Sequence, residues 1–159
     1  MTRIGLVSCP APRRGSQEKR CDRLCMLCAT RARRLRKGRM RILLVDDDPA
    51  VRSALARLLT LRHEVRTASS YDEALAALDV DARIDVVVCD VVMPERTGLD
   101  VLATVRKRWP ELVGRFLLIT GGAISREIDS QLEAAAVPVL RKPFSFAELE
   151  AAIAVLIAS

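Results

Sequence analysis

The stretch MRILLVDDDPAVRSALARLL, residues 40–59, sets the fold class. Ile42–Val45 is a short apolar run of the kind that forms a strand buried on both faces. Three acids, Asp46, Asp47 and Asp48, follow it directly. Asp48 then precedes Pro49, a pairing that opens a helix: the carboxylate caps free N–H groups, and Pro is tolerated at the first helical position. Val51, Ala54, Leu55, Leu58 and Leu59 continue at helical spacing. A buried strand therefore carries a cluster of carboxylates to the start of a helix.

The same alternation repeats downstream. Glu64–Ala68 alternates like a half-exposed strand, and Ser70-x-x-Glu73 is a capping box before the apolar positions Ala74, Leu75 and Leu78. Ile84–Cys89 reads as a strand, and Gly98–Trp109 as a helix with Leu102, Val105 and Trp109 on one face, stopped by Pro110. Phe116–Ile119 reads as a strand, Ser125–Ala135 as a weaker helix and Val137–Leu140 as a short strand. Ser145-x-x-Glu148 is a second capping box, followed by the apolar stripe Leu149, Ala152, Ile153, Leu156 and Ile157.

Five strand–helix units in strict alternation imply an α/β domain with a parallel sheet. Strands one and four are apolar throughout and strand three mostly so, so they belong in the centre. The second alternates and the fifth contains Pro138, so both suit edges. The expected order is 2-1-3-4-5, a doubly wound arrangement whose ligand site lies beyond the carboxyl ends of the strands.

Composition agrees with one such domain. The chain has 159 residues, half of them apolar and 29% charged, which excludes wholesale disorder. Only 3% are aromatic, which argues against a stacking reader of single-stranded nucleic acid. No apolar stretch is long enough to span a bilayer. The net charge of +6 misleads. Residues 1–39 hold 12 basic and two acidic residues, a net of +10; residues 40–159 hold 14 basic and 18 acidic residues, a net of −4. The boundary at Met40 therefore separates a basic, Cys-containing extension from a domain over 40–159. The extension is expected to be disordered, or to precede a true start at Met40. Its basic run Arg31–Arg39 suits weak contact with nucleic acid or an acidic surface. Cys21, Cys25 and Cys28, with Cys9 upstream, have metal-like spacing, but the second ligand pair of a structural zinc site is absent.

The strand ends carry the chemistry. Strand one ends in Asp46, Asp47 and Asp48, strand three in Asp90 and strand four in Thr120, and Lys142-Pro143 follows strand five. Carboxylates from two adjacent strands meet at one edge, which is unfavourable unless a cation shares the site. Hard oxygen ligands suit Mg²⁺. An ammonium and a hydroxyl facing the same point suit a phosphoryl group.

These pieces resemble the receiver domain of two-component response regulators. The resemblance covers residues 40–158 and rests on ILLVDDDP (42–49), VVVCDVVMPERTG (86–98), LLITGG (117–122) and LRKPF (140–144). The ITGGA and RKPF stretches look most like receivers of hybrid sensor kinases. The resemblance implies a flavodoxin-like fold and a cytoplasmic phosphoacceptor protein, not a turnover enzyme. Asp90 would accept the phosphoryl group from a histidine kinase or a histidine phosphotransfer protein. Asp47 would bind Mg²⁺ directly, Asp46 through water, and Val92 through its backbone carbonyl, with Asp90 completing the set. Thr120 would hydrogen-bond the phosphoryl group, Lys142 would pair with it, Pro143 would follow a cis peptide, and Gly98 matches the glycine after the acceptor loop. An unidentified downstream protein would read a switched surface, with the chain a monomer or a homodimer. No output domain is expected after the fifth helix.

One position departs from the pattern. Many receivers carry Tyr or Phe three residues before the lysine; here it is Val139, so the readout is expected to differ from the aromatic-gated version. Two alternatives compete: a degenerate receiver that binds partners without phosphate, and an aspartate-based phosphatase suggested by Asp46-x-Asp48. The complete Asp46, Asp47, Asp90, Thr120 and Lys142 set argues against the first, and the lack of room for a cap argues against the second. Asp48 reads as an N-cap, Cys89 and Trp109 as core, and His63, the single histidine, as a surface residue.

Overall fold

Strand β1 (Arg41–Val45) is hydrogen-bonded to β2 (Glu64–Ala68) on one side and to β3 (Val86–Asp90) on the other, all in parallel. β4 (Phe116–Thr120) pairs with β3, and β5 (Val139–Arg141) closes the sheet in the order β2-β1-β3-β4-β5. The computed structural model describes residues 39–81, 83–122 and 125–158. The sequence readings on the extension, including Cys9, Cys21, Cys25, Cys28 and the basic run up to residue 38, lie outside these residues.

The helices between the strands are α1 (Pro49–Thr60), α2 (Tyr71–Val80), α3 (Gly98–Arg108), α4 (Arg126–Ala134) and α5 (Phe146–Ala158). A 3-10 turn, Pro110–Arg115, leads into β4. Side chains alternate across each strand, so the sheet builds two cores. Leu43, Val45, Val87, Cys89, Phe116 and Leu118 face one side, with α2, α3 and α4 contributing Leu78, Leu102, Val105 and Leu132. Ile42, Leu44, Val86, Val88, Leu117 and Ile119 face the other, covered by Leu59 of α1 and Leu149, Ile153 and Leu156 of α5. β3 and β4 are buried along their whole length, whereas β2 and β5 remain partly exposed.

The caps follow local chemistry, with corrections. The Asp48 carboxylate accepts from the N–H groups of Ala50 and Val51, and Ser145 with Glu148 forms a reciprocal box. Only half the predicted box at Ser70 exists: its hydroxyl accepts from Glu73 N–H, but the Glu73 carboxylate turns to the N–H and hydroxyl of Ser69. A full box that the pattern missed joins Thr97 and Asp100 at the start of α3. β5 begins two residues later than expected, at Val139, so Pro138 lies before it, and its carbonyl accepts from Leu118 N–H.

His63 is a further correction. It is buried, not on the surface: Nε2 lies 3.1 Å from Glu150 Oε1, 87 residues away on α5, and Nδ1 has no hydrogen-bond partner among the described residues. Trp109 is half-buried against the core, with the Arg108 guanidinium 4.4 Å above its ring.

Candidate functional site

Strand order decides which chain ends meet. β1, β3 and β4 are neighbours, so Asp46, Asp90 and Thr120 emerge side by side at the carboxyl edge. All three are buried polar residues. Lys142, just past β5, reaches across them: its Nζ lies 2.7 Å from Asp90 Oδ1 and 3.3 Å from Asp46 Oδ2. Its backbone N–H donates to the Thr120 carbonyl at 2.7 Å, and the Lys142-Pro143 peptide is cis. One ammonium thus bridges two carboxylates from different strands.

Each carboxylate is also held from behind. Asp48 N–H donates to Asp46 Oδ1 at 2.9 Å, and Val92 N–H donates to Asp90 Oδ2 at 3.0 Å. Asp47 is half-buried at the rim, and its carboxylate makes no hydrogen bond among the described residues. The Thr120 hydroxyl is buried with no partner among them. A buried hydroxyl without a partner carries an unmet desolvation cost of about 1–3 kcal/mol, and an oxygen-rich ligand would relieve it.

Burial and the neighbouring Asp90 carboxylate push the Asp46 carboxyl above its ordinary range, and Lys142 only partly offsets this. Burial would lower the Lys142 ammonium, but its hydrogen bond to Asp90, with the charges of Asp90 and Asp46, raises it overall. The site therefore favours a fully protonated lysine while still holding more negative than positive charge. Cys89, at the end of β3, donates its thiol to the Asp90 carbonyl at 3.3 Å, and burial pushes that thiol well up. It is an inert core group, as read from sequence.

Two glycines make room for this geometry. A Cβ on Gly98 would lie 2.2 Å from the Asp90 carbonyl oxygen, so α3 can start against the Asp90 backbone only without a side chain. A Cβ on Gly121 would meet the Lys142 stem at 2.9 Å. Gly121 was not singled out by its sequence context; the contact depends on Lys142, which comes from the next strand.

Among the described residues, no three His, Cys, Asp or Glu side chains cluster closely enough to hold a metal by themselves. The donor chemistry nonetheless fits Mg²⁺. That ion keeps several waters and takes one or two carboxylates, and this edge offers hard oxygens with an excess of negative charge. Asp46, Asp47, Asp90 and the Val92 carbonyl are the groups that would hold it. Val139, three residues before Lys142, is half-buried against the core and provides no ring.

Comparison with known proteins agrees with the fold. The family model for the response regulator receiver domain matches residues 42–154. The response regulator MprA of Mycobacterium leprae is 40% identical over 119 residues, which is 74% of this chain and 51% of that protein. The sensor kinase CckA of Brucella abortus is 35% identical over 117 residues, 70% of this chain and 12% of that protein. The crystal structure of a response regulator receiver domain protein from Clostridium thermocellum superposes with a TM-score of 0.66 at 31% identity, covering 75% of this chain and 94% of that one. The chain spans about half, or less, of the length of the curated relatives it matches.

Proposed function

The chain belongs to the response regulator receiver domain family, and from that membership and the chemistry of the strand ends we propose that it accepts a phosphoryl group on Asp90. The observation that carries the reading is the Lys142 ammonium set between Asp90 and Asp46 beside the unpartnered Thr120 hydroxyl. A phosphoryl group on Asp90 would give that hydroxyl an acceptor and the ammonium a third anionic partner.

The donor is a phosphohistidine of a kinase or phosphotransfer protein. A carboxylate oxygen of Asp90 forms the new O–P bond as the P–N bond breaks, and the electron pair leaves with the imidazole. Val92 N–H and Lys142 orient the carboxylate before attack. Bound Mg²⁺ would neutralise charge on the transferred group. The transferred group remains on the chain's own carboxylate, so the chain acts as a phosphoacceptor and not as a turnover enzyme.

Thr120 would turn inward to the phosphoryl oxygen and carry the backbone beyond β4 with it. With Val139 in place of an aromatic ring, only this half of the readout operates, towards a downstream protein partner. A phosphomimic that shifts neither Thr120 nor Val139 resonances would overturn that coupling. Cytoplasmic placement follows from the proposed donor; among the described residues no helix is long and apolar enough to cross a membrane.

Intact mass after exposure to acetyl phosphate or phosphoramidate tests the function. The expected result is a Mg²⁺-dependent gain of one phosphoryl group that Asp90→Ala abolishes. No gain under any condition would instead favour a partner-binding role without phosphate.

A further inference from the structure

Arg52 sits one turn into α1 and is half-buried. Its Nη1 donates to the backbone carbonyl of Asp46 at 2.5 Å and to that of Asp47 at 3.2 Å. Those two carbonyls belong to the peptide planes on either side of the Asp47 Cα. A donor gripping both limits their relative orientation, and so restricts φ and ψ of Asp47. We infer that Arg52 is a positioning residue that sets where the Asp47 carboxylate points.

The three acids of the site differ in what holds them. Asp46 is fixed by Asp48 N–H and Lys142, and Asp90 by Val92 N–H and Lys142. The Asp47 carboxylate has no such hydrogen bond among the described residues. Its direction is therefore set by its backbone, which Arg52 holds through the two carbonyls and Asp46 Oδ1 holds through Asp48 N–H. Groups that orient a ligand from behind typically affect metal affinity by about 10- to 100-fold. This inference rests on the reading of Asp46, Asp47 and Asp90 as a cation site.

A competing role for Arg52 has the opposite sign. As a mere counter-charge, it would weaken the pull of Asp46, Asp47 and Asp48 on a cation, so removing it would tighten Mg²⁺ binding. As a positioning residue, its removal loosens binding although the site becomes more negative.

Calorimetric titration of Mg²⁺ into the full chain separates these roles, using wild type, Arg52→Ala, Arg52→Lys, Asp47→Ala and the Arg52→Ala/Asp47→Ala double variant. Metal-free melting curves are recorded on the same samples. The expected result is a loss of affinity of about 10-fold or more in Arg52→Ala, substantial recovery in Arg52→Lys, and little further loss when Arg52→Ala is added to Asp47→Ala. Metal-free melting should stay near wild type. Unchanged or tighter binding in Arg52→Ala overturns the inference, as does a loss that is fully additive with Asp47→Ala. Should Arg52→Ala not fold, Arg52→Gln decides: a folded Gln variant with wild-type affinity overturns it, and one with weakened affinity supports it. Wild type that binds no Mg²⁺ overturns the cation site itself and this inference with it, a result distinct from a wild type that binds and an Arg52 variant that binds equally.

Discussion

The two ends of the sheet use the same residue types to opposite effect. At the amino edge, Arg41 opens β1 and is surrounded by acids: its Nε lies 3.0 Å from Glu64, its Nη1 lies 3.3 Å from Asp81, and its backbone N–H donates to Asp85 at 3.0 Å. Water reaches this cluster, for the Glu64 side chain is 55% exposed. At the carboxyl edge, the Asp46 and Asp90 side chains are only 3% and 8% exposed, one lysine serves both, and a buried hydroxyl has no partner. The first arrangement is already satisfied. The second is held by the rest of the fold in a state that a ligand would improve. Stability and function are thereby placed at opposite ends of the same strands.

Steric substitution should separate the edges most strongly. Gly98→Ala forces a Cβ against the Asp90 carbonyl, and we expect a loss of about 2–3 kcal/mol in urea denaturation. Gly114, in the turn that leads into the amino end of β4, has open space around it, so Gly114→Ala should change stability by about 0.5 kcal/mol or less. Equal effects at both positions would show that the two edges do not differ in their steric tolerance.

Charge removal comes next. Lys142→Met leaves Asp46 and Asp90 facing each other in a buried site. Without metal at neutral pH it should cost about 1–3 kcal/mol, less than a fully buried pair because the lysine side chain is 29% exposed. The deficit should shrink as pH falls and the raised Asp46 carboxyl takes up a proton. In wild type the raised Lys142 means its ammonium contributes fully below the ordinary lysine range, and this contribution is lost only as pH rises through the raised value. Arg41→Met, among better hydrated partners, should cost about 1 kcal/mol or less.

A smaller effect of opposite sign is expected from Asp46→Asn. Burial raises this carboxyl, so the folded state binds its proton more tightly than the unfolded state. Wild-type stability therefore falls as pH rises from the ordinary carboxylate value through the raised one. The Asn variant escapes that loss. It should gain about 1 kcal/mol at neutral pH, with the gain vanishing in acid, and should lose Mg²⁺ binding. Thermal melts across pH, with and without Mg²⁺, check both parts.

Much of this was legible in the sequence. The strand order followed from which runs were apolar throughout, because β3 and β4 must be buried on both faces while β2 alternates. The convergence of Asp46, Asp90, Thr120 and Lys142 followed from that order. What failed depended on contacts that spacing alone does not show. His63 reads as an exposed residue after a helix among arginines; it is buried because α5 returns over it and supplies Glu150. Glu73 passes over Ser70 for Ser69, one residue back, which spacing alone does not reveal. Arg52 occupies an unremarkable helical position, and its role became visible only through the two carbonyls it grips. Gly121 matters only because Lys142 packs beside it.

On the proposed chemistry Asp90, and no neighbouring acid, takes the phosphoryl group. Borohydride reduces an aspartyl phosphate to homoserine, so the protein can be treated with acetyl phosphate and Mg²⁺, reduced, digested and sequenced by tandem mass spectrometry. We predict homoserine at position 90 alone, absent when Mg²⁺ is chelated. Homoserine at 46 or 47, or its absence from a protein that has gained phosphate, would contradict the assignment.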